Sequence, residues 1–371
     1  MGKSLKIILF GPAPPFRGGI SDTQVHLGES LQQLGHRVEL WTFSKQYPAW
    51  LFPGKTQKTE HPASSDLKII EKVHGYAPLQ WLSVRRALRK ASPDLVIFRY
   101  WTPLFACCWA TIGWNLSKSI TKIGLVDNWL PHEYPFIATF INPIFQRAVD
   151  SFMCLSPFVA KQLKASTAKP VQWKLHPLPL QTPASKKKAQ ARETLAWPKD
   201  KIILIFVGLI RDYKGLELLI EALGKVVQAT NKAIELRVGG AFYSPLEDYQ
   251  SQIQQWGIEE QVFLQDQFLS PEALRDYICA ADVVILPYKR ASQSGIISQA
   301  MHYQSPLMVS RVGGLEEQLQ NYPHGTVVDP TSDAFSRAIA QVEPKKEREE
   351  AIGHPVDGWK AFATELLRLT E

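Results

Sequence analysis

Along most of the chain, short apolar runs rich in β-branched residues alternate with stretches whose apolar residues recur every three or four positions. The first pattern reads as buried strands and the second as amphipathic helices. Leu5 to Phe10 predicts a strand, Gln24 to Leu34 a helix stopped by Gly35, and Val38 to Phe43 the next strand. Further strands are expected at Asp94 to Phe98, Ile123 to Val126 and Phe152 to Leu155, with helices over Leu79 to Lys90 and Val159 to Ser166. Such alternation predicts α/β architecture, a parallel sheet covered on both faces.

From Leu180 to Asp200 the texture changes to Pro183, Ser185, Lys186, Lys187, Lys188 and Pro198. The first part of this stretch reads as an interdomain linker. The alternation then restarts, with strands at Lys201 to Val207, Ile234 to Val238, Val262 to Leu264, Val283 to Leu286 and Leu307 to Val309. A helix is expected over Leu216 to Val227, and an amphipathic one over Trp359 to Leu369. The picture is two doubly wound, Rossmann-like halves, 1–183 and 184–345, followed by a closing segment 346–371. Ligands of such sheets bind at the carboxyl ends of the strands, so the cleft between the halves is the expected site.

Length and composition agree with a two-domain globular chain. The chain has 371 residues, 45% hydrophobic and 21% charged, which excludes a disordered chain, a collagen-like repeat and a small disulfide scaffold. A formal net charge of +7 favours an anionic partner. The basic residues are dispersed outside the linker run and no recognition motif is present, so nucleic acid is not expected. Cys107, Cys108, Cys154 and Cys279 fit neither a disulfide framework nor a zinc site and read as buried thiols in a reducing compartment. No run approaches the length of a membrane span, and Met1 to Phe10 lacks the pattern of a signal peptide. The reading is cytoplasmic, with peripheral contact to the inner face of a membrane left open.

Three segments carry candidate chemistry. Residues 11–20, Gly-Pro-Ala-Pro-Pro-Phe-Arg-Gly-Gly-Ile, join the first strand to the first helix. They form neither a nicotinamide fingerprint nor a Walker A loop, but Gly18 and Gly19 let backbone N–H groups approach an anion or a sugar hydroxyl. In Phe206 to Gly215, Arg211 and Lys214 follow a strand that stops at Gly208, and two cations there suit a diphosphate. In Pro287 to Met301, Ser294 and Gly295 open a helix whose N–H groups, with the Ser294 hydroxyl, suit phosphate oxygens. Gln299 lies one turn deeper, within reach of a ribose or sugar hydroxyl. Each has an ordinary structural reading as well: a glycine turn, a solvated pair of cations, an N-cap serine.

Together these segments resemble the retaining glycosyltransferases of family 4 (glycosyl transferases group 1), whose fold is GT-B. Ala-Asp-Val-Val-Ile-Leu-Pro at 281–287 and Pro306 to Gly314 add to the likeness, which covers nearly the whole chain. The resemblance implies transfer of a sugar from a nucleotide-diphosphate-sugar, UDP- or GDP-linked, to a glycan or lipid-linked acceptor, without a metal. It implies donor contacts from Gly18, Gly19, Gly208, Arg211, Lys214, Gln293, Ser294, Gly295 and Gln299, with Gln267 in a loop facing the base, and a closing helix from Trp359 that returns to the first half.

Two departures stand out. The paired glutamates common in the family fall at Ala291 and Gln299, although a subset reads Gln-Ser-Gly as residues 293–295 do. The first-half histidine falls at Asp127, with His132 and Glu133 close behind, and either Asp127 or His132 is a candidate to orient a sugar. Arg211 and Lys214 would stabilise the leaving diphosphate. The basic segment 80–90 and the aromatic segment 100–109 suit an anionic membrane and a lipid-linked acceptor, or equally a packed helix with a charged outer face. Two other readings stay open: a silent nucleotide-sugar-binding scaffold and a nucleotide-sugar epimerase of the same architecture.

Overall fold

The structure, a computed structural model of the chain, describes residues 3–16, 18–48, 66–130, 135–178, 182–345 and 358–370. The chain divides into two units, 1–180 with 357–371, and 181–356.

In the first unit, parallel strands β1 (Lys6–Phe10), β2 (Arg37–Lys45), β3 (Lys68–His74), β4 (Leu95–Tyr100), β5 (Thr121–Val126), β6 (Ser151–Cys154) and β7 (Val171–Trp173) form one sheet. Their spatial order is β3-β2-β1-β4-β5-β6-β7. Alternate side chains of β1 explain its unbroken apolar run. Ile8 and Phe10 enter one core with Trp41, Phe98 and Trp109, whereas Ile7 and Leu9 enter the core on the opposite face. Helices α2 (Pro78–Ala91), α3 (Ala106–Gly113), α4 (Pro135–Ala148) and α5 (Pro157–Lys164) cover the first face. The opposite face is covered by α1 (Gly19–Gln33) and by α13 (Gly358–Leu367), whose Trp359, Phe362, Ala363 and Leu366 are buried in the same core as Val25, Leu27 and Leu31 of α1.

The second unit is built in the same way. Its elements are α6 (Lys188–Thr194), β8 (Ile202–Val207), α7 (Leu216–Ala229), β9 (Ile234–Gly240), α8 (Leu246–Trp256), β10 (Val262–Asp266) and α9 (Pro271–Ala280). They continue with β11 (Val283–Leu286), α10 (Gly295–His302), β12 (Leu307–Ser310), α11 (Leu315–Leu319), β13 (Gly325–Val328) and α12 (Ser332–Ala340). The sheet order is β10-β9-β8-β11-β12-β13.

Several expectations change. Helix α1 begins at Gly19 rather than near Gln24, because its first turns bury Ser21, Thr23 and Gln24 and so show no apolar periodicity. The lysine run read as a linker belongs to the second unit. Lys186 Nζ lies 3.0 Å from Asp276, and Lys188, at the start of α6, lies 2.6 Å from Asp282. Strands β3, β7 and β13 were not expected. They are short or alternate with polar residues at the outer positions of their sheets, so no apolar run announces them. Cys107 is exposed, against the reading of four buried thiols.

Candidate functional site

In the second unit the strand order reverses between β8 and β11. The loops that leave those two strands frame the carboxyl edge of the sheet at this switch point, where ligands of such sheets bind. The β8 loop begins at Gly208, whose φ is +116°, and runs in backbone contact with the end of β9. Its N–H donates to the Gly239 carbonyl at 3.0 Å, and a Cβ on Gly240 would fall 1.8 Å from the Gly208 oxygen. Only glycines permit that approach. Ile210 N–H donates to Ala241 O (2.9 Å) and Tyr243 N–H to Ile210 O (2.9 Å), which fixes the next two residues.

Arg211 then lies over the Tyr243 ring, its guanidinium carbon 4.8 Å from the centroid. Lys214 Nζ stands 5.4 Å from the Tyr288 centroid and 3.2 Å from where a Cβ on Gly208 would be. The Tyr213 carbonyl accepts from Lys289 N–H at 2.8 Å, tying this loop to the turn after β11. Neither Arg211 nor Lys214 has a carboxylate partner among the described residues. Burial of the ammonium, reinforced by the Arg211 charge, holds the Lys214 pKa below its ordinary value. The arrangement is a pair of uncompensated cations at the edge of the sheet, a geometry that attracts a polyanion.

Across the switch point, Gly295 opens α10 and is exposed. The Gly295 and Ile296 N–H groups have no acceptor within the helix, whereas Ile297 N–H donates to the Ser294 carbonyl at 3.2 Å. Ser294 differs from expectation. Its N–H donates to Gln318 Oε1 at 2.8 Å and its hydroxyl bonds with Tyr288, so this N–H is engaged within the unit rather than offered to a phosphate. Burial pushes the Tyr288 phenol up to about 12, with the Ser294 bond opposing. Tyr288 therefore touches both segments, Lys214 through its ring and Ser294 through its hydroxyl. Gln293 and Gln299 are half-buried, and Gln293 Oε1 has no partner among the described residues. Ala291 offers a carbonyl to Gly314 N–H at 3.2 Å. Gln267 is exposed beside Phe268, its amide oxygen 3.4 Å from Gln265 Nε2. Gln265 is in turn held by the Tyr277 hydroxyl.

In the first unit, Gly18 (φ +115°) caps α1 and Gly19 opens it, with open space where either would carry a Cβ. Asp127 follows β5 but is not a free carboxylate. It receives both Nε and Nη2 of Arg99 at 2.6 Å, and Arg99 Nη2 also reaches Thr23 Oγ1 at 3.2 Å. Both side chains are buried. Asp127, one of the two candidates to orient a sugar, is thus engaged by Arg99, and the pair fixes the end of β5 to α1. His132 lies outside the described residues. Arg99 was not singled out in the sequence, although an arginine inside the apolar run Leu95–Tyr100 signals a buried partner. Gln318, which holds Ser294, carries no such signal.

Both units are similar to known proteins. Residues 18–179 match the family described as Glycosyl transferase 4-like domain, and residues 187–354 match Glycosyl transferases group 1. A D-inositol 3-phosphate glycosyltransferase of Saccharomonospora viridis is 29% identical over 169 residues, 43% of this chain and 39% of that protein. The alignments span less than half the length of such curated relatives. Among solved structures, sucrose-phosphate synthase from Thermosynechococcus elongatus superposes with a TM-score of 0.72 at 18% identity, covering 98% of this chain and 93% of that one. The Anabaena protein HepE in complex with UDP and glucose superposes with a TM-score of 0.69 at 13% identity, covering 98% and 97%. The fold of the two units is that of GT-B glycosyltransferases.

Proposed function

We propose that this chain, which carries a glycosyl transferase 4-like domain followed by a glycosyl transferases group 1 domain, is a retaining, metal-independent glycosyltransferase. The donor is a nucleoside-diphosphate sugar and the acceptor a hydroxyl of a glycan or a lipid-linked saccharide. The observation that carries this reading is the Arg211–Lys214 pair, uncompensated by any carboxylate among the described residues and set at the carboxyl edge of β8. The UDP held by the structurally similar HepE supports a nucleotide as the polyanion.

In the reaction the bond between the anomeric carbon and the diphosphate oxygen breaks as the acceptor oxygen bonds to that carbon from the same face. The acceptor proton passes to the departing phosphate oxygen. Charge grows on the diphosphate, and Arg211, Lys214 and the N–H groups of Gly295 and Ile296 stabilise it. Gly208 keeps the space beside Lys214 clear. The leaving group acts as its own base, so the absence of carboxylates at Ala291 and Gln299 does not interrupt the chemistry.

The test is thermal stabilisation by UDP, GDP, ADP and dTDP in EDTA, followed by transfer assays with the sugar forms of the nucleotide that binds. One base should raise the melting temperature, with the rise growing with the logarithm of its concentration. Lys214→Met and Arg211→Met should abolish that rise and slow transfer by roughly a hundredfold or more. Unchanged binding and transfer in both variants would overturn the assignment. Binding with no transfer to any acceptor would instead favour a silent nucleotide-sugar-binding protein, the reading that the engaged Asp127 and Ser294 support.

A further inference from the structure

We propose that the outer face of α2, α3 and α4 docks the first unit onto an anionic lipid bilayer. This goes beyond the transferase reading and does not rest on it. Helix α3 packs against α2 on one side and α4 on the other, so the three make one continuous layer over the sheet. The three helices contain no Asp or Glu, but they carry Arg85, Arg86, Arg89, Lys90 and Arg147.

The same layer exposes large apolar side chains. Leu104, Cys107, Thr111 and Trp114 recur at helical spacing along the outward side of α3 and its flanks, with Leu104 58% and Trp114 69% exposed. Leu79 on α2 is 86% exposed and Phe140 on α4 is 65% exposed. Arg89 Nη2 donates to the carbonyl of Asn115 at 2.6 Å, which pins a cation next to Trp114. Exposed leucine and aromatic side chains interleaved with arginine and lysine, with no carboxylate among them, match the boundary between acyl chains and anionic headgroups. Among the described residues no helix is long and apolar enough to cross a membrane. The layer lies on a face of the sheet, whereas Gly18, Gly19 and Asp127 lie at its carboxyl edge, which docking leaves uncovered.

The experiment is sedimentation of the full chain with vesicles of phosphatidylcholine alone and of phosphatidylcholine mixed with phosphatidylglycerol. Binding is expected to the mixed vesicles only, and to weaken with salt. Arg86→Glu with Lys90→Glu should lower partition at least tenfold, since each cation near such a surface contributes about fivefold. Leu104→Ser with Trp114→Ser should weaken it with little change in salt dependence. Melting temperature and circular dichroism report that both variants remain folded, and neither pair touches the Arg211–Lys214 site, so nucleotide binding is unaffected. No binding to anionic vesicles, or binding undiminished in both variants, overturns the proposal. So does a dimer, seen by sedimentation velocity, that dissociates in Leu104→Ser with Trp114→Ser.

Discussion

At Gly208 the chain carries no side chain, and Lys214 lies against the backbone there with no anion of its own. An ammonium so placed gives up a proton more readily than an exposed lysine, because burial penalises its charged form. The sign of the pH dependence follows. With the folded pKa below the unfolded one, the unfolded chain binds more protons over that interval, so this group makes the free protein more stable as pH rises through it. A bound diphosphate favours the charged form and reverses the shift. Nucleotide affinity should therefore fall as pH rises through the lowered Lys214 pKa, at a pH where an ordinary lysine is still charged. Calorimetric titration across the alkaline range checks this, and Lys214→Arg should flatten the fall, because guanidinium keeps its charge. At this scale the sequence was partly legible. Arg211 and Lys214 show themselves by following a buried strand. The Arg99–Asp127 pair does not, because its partners are 28 positions apart and meet only when β4 and β5 align.

Among elements, the lysine run before β8 shows how a local pattern misleads. Charge and proline suggest a solvated linker, yet Lys186 and Lys188 pair with two buried carboxylates of the second unit, Asp276 and Asp282. Asp282 accepts from Lys188 Nζ (2.6 Å), Arg192 Nη2 (2.7 Å), Ile203 N–H (2.7 Å) and Lys345 N–H (2.7 Å). It joins α6, β8 and the chain beyond α12 at one point. Replacement by alanine leaves Arg192 charged, buried and short of its partner, which costs about 3–5 kcal/mol. Urea unfolding of Asp282→Ala should show that loss, whereas Asp282→Asn keeps part of the hydrogen bonding and should lose less. The strands that the sequence announced are those buried on both faces, such as β1, β8 and β11. Those it hid are outer strands such as β3 and β13, whose half-exposed positions dilute the apolar run.

For the whole molecule, the repeated strand–helix alternation made two parallel-sheet units readable, because each central strand is buried on both faces and needs an unbroken apolar run. The closing helix was also visible as an amphipathic stretch. Its seat beside α1 follows from tertiary packing and from the likeness to related proteins rather than from its own sequence.

That seat has a further consequence. A Cβ on Gly358 would lie 3.2 Å from Pro177 Cβ, so the chain re-enters the first unit beside the point where it leaves. In genetic terms the second unit is an insertion whose two ends lie side by side in the host. A cassette bounded in this way can be lifted out at little cost in loop closure. Splicing Leu178 to Gly358 through a short glycine bridge should give a chain that melts cooperatively by circular dichroism. The same chain without residues 358–370 exposes the core that Trp359, Phe362 and Leu366 cover and should not fold.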